Sequence, residues 1–159
     1  MDRSAPRFPA GWWLAVSVAA GVVGLAALPA TVGFEGGALV RAAFAPFCHQ
    51  MPARSPHVHG VPLALCHRCF GIVGGLAAGV GLGPLVPGLL RRLAGVHPLA
   101  VLSVAAVPTG MDWLLGVAGV WANTGASRLA TGALFGLAAG LVLAGSVLAL
   151  SSPSPVRDV

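Results

Sequence analysis

Four long apolar runs dominate the chain, at 12–28, 69–90, 98–120 and 128–150, and each is long enough to cross a hydrocarbon core as a helix. Proline and glycine mark the ends: Pro29 and Gly33 close the first run, and Arg91-Arg92 close the second. Pro108 interrupts the third run, which also carries a carboxylate, Asp112. Between the first two runs lies a polar stretch from Phe34 to Leu65 broken by Pro46, Pro52, Pro56 and Pro62, too punctuated to span. Its first part, Ala38 to Phe47, predicts a short interfacial helix. The pattern thus predicts an all-α membrane protein, a single domain over 1–150 built as a bundle of four transmembrane helices with a long loop rich in cysteine and histidine between helices one and two. Residues 151–159, a Ser-Pro segment, are expected to be a disordered tail.

Glycines recur every four residues in two of the runs, at Gly71, Gly75, Gly79 and Gly83 and again at Gly132, Gly136 and Gly140. That spacing places each set on one helix face, where missing side chains let two backbones approach closely in lipid.

Composition agrees with the bilayer as solvent, since 57% of the 159 residues are hydrophobic, 8% are charged, and mean hydropathy is +0.89. The formal charge of +5 comes from nine arginines without a lysine. They are scattered rather than arrayed with aromatics, which excludes a nucleic-acid interface and leaves lipid phosphates or an anionic small-molecule substrate as partners. Arg3 and Arg7 precede the first run as in a secretion signal, but no small-x-small cleavage site follows and Trp12-Trp13 open it as an interfacial pair, so it is read as a retained helix. Four spans put Arg3, Arg7, Arg91, Arg92 and Arg157 on one side and Arg41, Arg54, Arg68 and Arg128 on the other. Because the second group lies among chemically interesting residues, the first is read as the cytoplasmic one, with both termini inside the plasma membrane of a prokaryote and the cysteines outside.

The same topology gathers the unusual chemistry at one end. Cys48, His49, Gln50, Arg54 and Ser55 lie in the loop, Cys66, His67, Arg68 and Cys69 open helix two, and Arg128 opens helix four. Asp112 lies about 12 Å down helix three from that end. Cys66 and Cys69 have metal-ligand spacing, and Cys48-His49 adds a third thiolate and an imidazole; His49 or Asp112 could complete a tetrahedral zinc site, while iron or an iron-sulfur cluster would also accept such ligands. Three cysteines leave one over from any pairing, which favours a metal over a disulfide staple. Two further readings stay open: a quinone-linked thiol-disulfide oxidoreductase, because a thiol pair at a helix start is an activated nucleophile, and a non-catalytic subunit or assembly factor of a larger membrane complex. Asp112 is read as a ligand, a general base or an ion-pair partner. Arg54, Arg68 and Arg128 are read as a clamp for phosphate or carboxylate. Ser55 is a nucleophile only beside a base, and otherwise a turn residue before Pro56. His57 and His59 are further loop histidines, and His97 falls at the opposite end.

Cys48-His49-Gln50, Arg54-Ser55, Gly60, Cys66-x-Arg68-Cys69-x-Gly71, Asp112 and Arg128-x-x-Thr131-Gly132 together resemble an uncharacterised family of small prokaryotic membrane proteins known by CHQ, RS and CxRC-x-G motifs. The resemblance spans about residues 40 to 140 and implies a fold and a site, without a reaction. It picks out Cys48, His49, Gln50, Arg54, Ser55, Cys66, Arg68, Cys69, Asp112, Arg128 and Thr131. The chain departs from the pattern at Pro56, His67 and Val73, where the family has an aromatic, a small residue and a tyrosine; with no tyrosine anywhere, no role can rest on a tyrosine hydroxyl here.

Overall fold

A computed structural model describes residues 8–150. Four helices are long and apolar enough to cross a membrane: α1 (Ala10–Ala27), α4 (His67–Leu82, prolonged to Leu85 by a short 3-10 turn), α6 (Pro98–Val117) and α7 (Gly125–Leu150). The shorter α2 (Pro29–Gly36) and α3 (Ala38–Phe44) follow α1, and α5 (Pro87–Ala94) lies between α4 and α6. A two-residue hairpin, β1 (His57–Val58) with β2 (Val61–Pro62), sits in the long loop.

The glycine ridges account for the central seam. On α4, Gly71, Gly75 and Gly79 lie against the backbone carbonyls of Leu129, Ala133 and Leu137; on α7, Gly132, Gly136 and Gly140 lie against those of Arg68, Ile72 and Leu76. Each glycine fills the space a Cβ would need with a neighbour's carbonyl, so the contact is reciprocal and runs for three turns of both helices. Gly83 continues it against Ala144.

Helix α1 packs on α4 through Trp12, Ala19 and Ala26, buried at seven-residue intervals. Trp12 Nε1 donates to the Val80 carbonyl at 3.0 Å near one end. At the other end, the Ala26 carbonyl, left without a partner by the approaching helix terminus, accepts from the Ala64 amide at 3.0 Å. That bond ties Leu63-Ala64-Leu65 beneath the end of α1, where all three are buried. The segment after Pro56 is therefore a folded plug, not an open loop. Its hairpin turns on His59 and Gly60, both with positive φ (50° and 79°), the left-handed pair a tight two-residue connection requires.

Several boundaries differ from the hydropathy pattern. The second span stops at Leu85, because Gly83-Pro84 tightens the last turn and Pro87 starts a new helix. Arg91-Arg92 consequently sit in the last turn of α5 rather than closing that span. Helix α6 runs through Pro108, whose missing amide removes one helical hydrogen bond without ending the helix. The fourth span starts three residues before Arg128, at Gly125, where the imidazole of His67 occupies the room a side chain would take. The interfacial helix ends at Phe44, short of Phe47. The expected tail at 151–159, like Arg3, Arg7 and Arg157, lies outside the described residues.

Candidate metal centre

The three thiols reach the site on two supports, the end of α3 and the start of α4. Cys48 follows α3: its amide donates to the Phe44 carbonyl at 3.0 Å. Gln50, in the left-handed region at φ 49°, folds its Nε2 back onto the Arg41 carbonyl at 2.6 Å and so caps the same helix end. Cys66 is the residue before the first helical position of α4, and Cys69 lies in its first turn. The three sulfurs lie within 4.8 Å of one another, all of them free thiols. The amide of Cys66 donates to Cys48 Sγ at 3.2 Å, the kind of bond that stabilises negative charge on a ligating sulfur. Cys48 is buried together with Ala26 and Leu65, and Phe44, Phe70 and Val73 close round the group.

This arrangement fits a soft cation. Tetrahedral zinc, with sulfurs at about 2.3 Å, sets neighbouring sulfurs roughly 3.8 Å apart, inside the 4.8 Å that bounds the three sulfurs here. The Cys66 thiol is pulled down to about 5, first by the Cys69 thiol donating to it and then by first-turn backbone amides and Cys48, which together outweigh burial.

Beside the sulfurs opens a cavity of about 340 Å³ lined by His49, Arg54, Arg68, Trp113 and Arg128 along with the three cysteines. The arginines come from three segments, each held by its own bond. Arg54 ends a 3-10 turn whose carbonyl is bonded by His67 Nδ1 at 2.7 Å. Arg128 Nε donates to Asn123 Oδ1 in a short bond, and Asn123 Nδ2 donates to the Asp112 carbonyl at 2.7 Å. Arg68 donates to Asp112 Oδ2 at 2.6 Å.

Of the residues the sequence singles out, Cys48, Cys66 and Cys69 converge, and His49, Arg54, Arg68 and Arg128 line the same cavity. Asp112 does not join the thiols: its carboxylate is buried behind Arg68, because Arg68 and Cys69, one residue apart, leave α4 about 100° apart. Ser55 is buried outside the cavity lining, its hydroxyl donating to the Met51 carbonyl at 3.2 Å; His57 bonds its carbonyl, not its hydroxyl, so among the described residues no base is bonded to that hydroxyl. Thr131 likewise bonds its own helix, donating to the Ser127 carbonyl at 2.8 Å, while its carbonyl accepts from Thr109. One participant escapes the sequence reading: Trp113 lines the cavity, and its one signal is its place beside Asp112. Asn123, which borders helix four in the sequence at the same end as Arg128, links the Asp112 backbone to Arg128.

Fold and site together define a four-span membrane protein with a thiol triad under an arginine-lined cleft. The chain belongs to the family described as predicted membrane protein (DUF2085), whose model matches residues 48–142. An uncharacterised protein of Methanocaldococcus jannaschii is 30% identical over 97 residues, and the aligned part spans 60% of this chain and 60% of that protein's length. No solved structure matches.

Proposed function

We propose that Cys48, Cys66 and Cys69 hold a zinc-like metal ion and that the cleft above it serves a metal-assisted hydrolase or transferase acting on an anionic, membrane-associated substrate. The observation that carries this reading is the convergence of three sulfurs within 4.8 Å at the wall of a cavity that also exposes three arginines. Three protein ligands would leave a fourth position open to His49 or a water, and a metal held there would supply Lewis acidity and acidify that water. Arg54 and Arg128 bind the anionic group through their planar forks. Asp112 fixes Arg68 and lies outside the thiol group that would hold the metal. Arg91-Arg92, on α5 at the far end of the bundle, support placing that end in the cytoplasm and the thiols outside the plasma membrane.

Metal analysis of the full chain purified in detergent tests this. One equivalent of zinc or iron, lost in Cys48→Ser, Cys66→Ser and Cys69→Ser alike, is expected; absence of metal, or content unchanged by these substitutions, refutes it.

A second reading has one observation in its favour, the lowered Cys66 thiol beside Cys69. In it, Cys66 and Cys69 form a disulfide and pass two electrons and two protons to a quinone, which leaves as quinol. Thiol titration after oxidation separates the two: loss of two titratable thiols, recovered by reductant, supports the redox reading, and three metal-protected thiolates support the first.

A further inference from the structure

The arginine cleft does not end at the sulfurs. Phe47 and Cys69 line it and also line a second, apolar cavity of about 470 Å³ on the other side, walled by Val22, Phe44, Leu65, Ile72 and Val73. Val22, Ile72 and Val73 in turn line a third, of about 420 Å³, which continues between α1 and α4 to Gly11 and Leu14. From Val22 to Gly11 is eleven helical residues, about 16 Å of depth at 1.5 Å per residue. The three cavities thus succeed one another through shared walls, from the polar cleft at the thiol end down the seam of α1 and α4, where the small side chains of Ala15 and Ala19 leave room for a hydrocarbon channel.

Any lipid chain would fill an apolar groove in a bilayer, so the charge at its mouth decides the occupant. Glu35 and Asp112 are the only carboxylate side chains between residues 8 and 150. Asp112 forms its close ion pair with Arg68 and only a longer-range attraction with Arg128, so among the described residues neither Arg54 nor Arg128 has a carboxylate within salt-bridge distance at the cleft. Two guanidinium groups beside a hydrocarbon channel match a phosphate-bearing head on an acyl chain.

We infer that the substrate of this site is an anionic phospholipid, its phosphate between Arg54 and Arg128 and one hydrocarbon chain in the channel between α1 and α4. This names the substrate class within the function proposed above and depends on the cleft being a substrate site, but not on the metal.

The full chain in phosphatidylcholine vesicles doped with phosphatidylglycerol carrying a diazirine in one acyl chain provides the test. Photolysis is expected to label Val22, Ile72 and Val73 in excess over Val104 and Val107, which are exposed or lipid-facing on α6. Unlabelled phosphatidylglycerol should compete the excess away, and Arg54→Gln/Arg128→Gln should lose it. Val22→Phe, which fills the channel without touching the arginines, should lose it as well. Equal labelling of the channel and α6, or equal labelling by diazirine phosphatidylcholine, overturns the inference. Competition by inorganic phosphate as strong as by the lipid also overturns it, since the cleft would then take the free anion. Metal content measured on the same samples keeps the two proposals apart: channel labelling without metal sinks only the metal, and stoichiometric metal with uniform labelling sinks only the lipid.

Discussion

Arg68, in the first turn of α4, donates to Asp112 on α6 across 2.6 Å, and Asp112 is the one buried residue of that span. A helix that otherwise faces outward is thereby fastened to the bundle by a charge pair placed where a lone charge would cost about 2.5 kcal/mol or more. Asp112→Asn leaves the guanidinium without its counter-charge. Breaking a fully buried pair costs about 3–5 kcal/mol, and since the Arg68 side chain keeps 21% of its exposure the expected cost is about 2 kcal/mol. Thermal unfolding in detergent checks it, and Arg68→Leu/Asp112→Leu should recover much of the loss in a double-mutant cycle.

The glycine seam predicts a sharp positional contrast. Gly136→Val drives a branched side chain into the Ile72 carbonyl and should cost more than about 3 kcal/mol or abolish folding. Gly74→Ala and Gly81→Ala, on α4 but facing open space, should change stability by no more than about 0.5 kcal/mol. Equal effects at Gly74 and Gly136 would show that α4 and α7 do not meet along this face.

The thiols predict a pH signature in metal-free protein. With its folded value lowered to about 5, Cys66 is a thiolate through the neutral range, so iodoacetamide should alkylate it at a nearly constant rate from pH 8 down to about pH 6. The rate then falls as the solution is acidified through pH 5, whereas an ordinary thiol would already have slowed below about pH 8.5. Mass mapping of the modified cysteine reads this directly. A profile that declines from pH 8 downward contradicts the lowered value.

Metal should reverse that reactivity. Loading with zinc is expected to protect Cys48, Cys66 and Cys69 together, and acidification should release the ion as protons displace it from sulfur. Protection of Cys66 and Cys69 without Cys48 would reduce the site to two thiols.

The spans were legible because hydropathy over about 20 residues is a strong signal, and the gathering of Cys48 with Cys66 and Cys69 follows once the topology is known. The glycine ridges were legible too, since a four-residue period has one geometric meaning on a helix. What stayed hidden depended on single contacts. Nothing in the pattern distinguishes Asp112 as a ligand from Asp112 as the partner of Arg68; the direction in which each side chain leaves its helix decides it. Leu63-Ala64-Leu65 is too short to show periodicity, and its burial follows from one bond to Ala26. The break between α4 and α5 did have a signal, Pro84 and Pro87 within four residues, which the unbroken hydrophobicity around them outweighed.

The seam between α4 and α7 is a lock with equal teeth. Because its glycines repeat every four residues, a slide of one repeat, about 6 Å, would seat most of them against new carbonyls almost as well. A periodic contact binds strongly yet carries no origin, so the phase must be chosen by features that occur once. The His67 imidazole of α4 seated on Gly125 of α7 is one such mark, and Arg68 on Asp112 is another, since Thr109 and Asn123 tie α6 in turn to Thr131 and Arg128 of α7. Erasing both would leave two helices still attracted to each other but free to mesh one tooth off, with Cys66 and Cys69 carried away from Cys48.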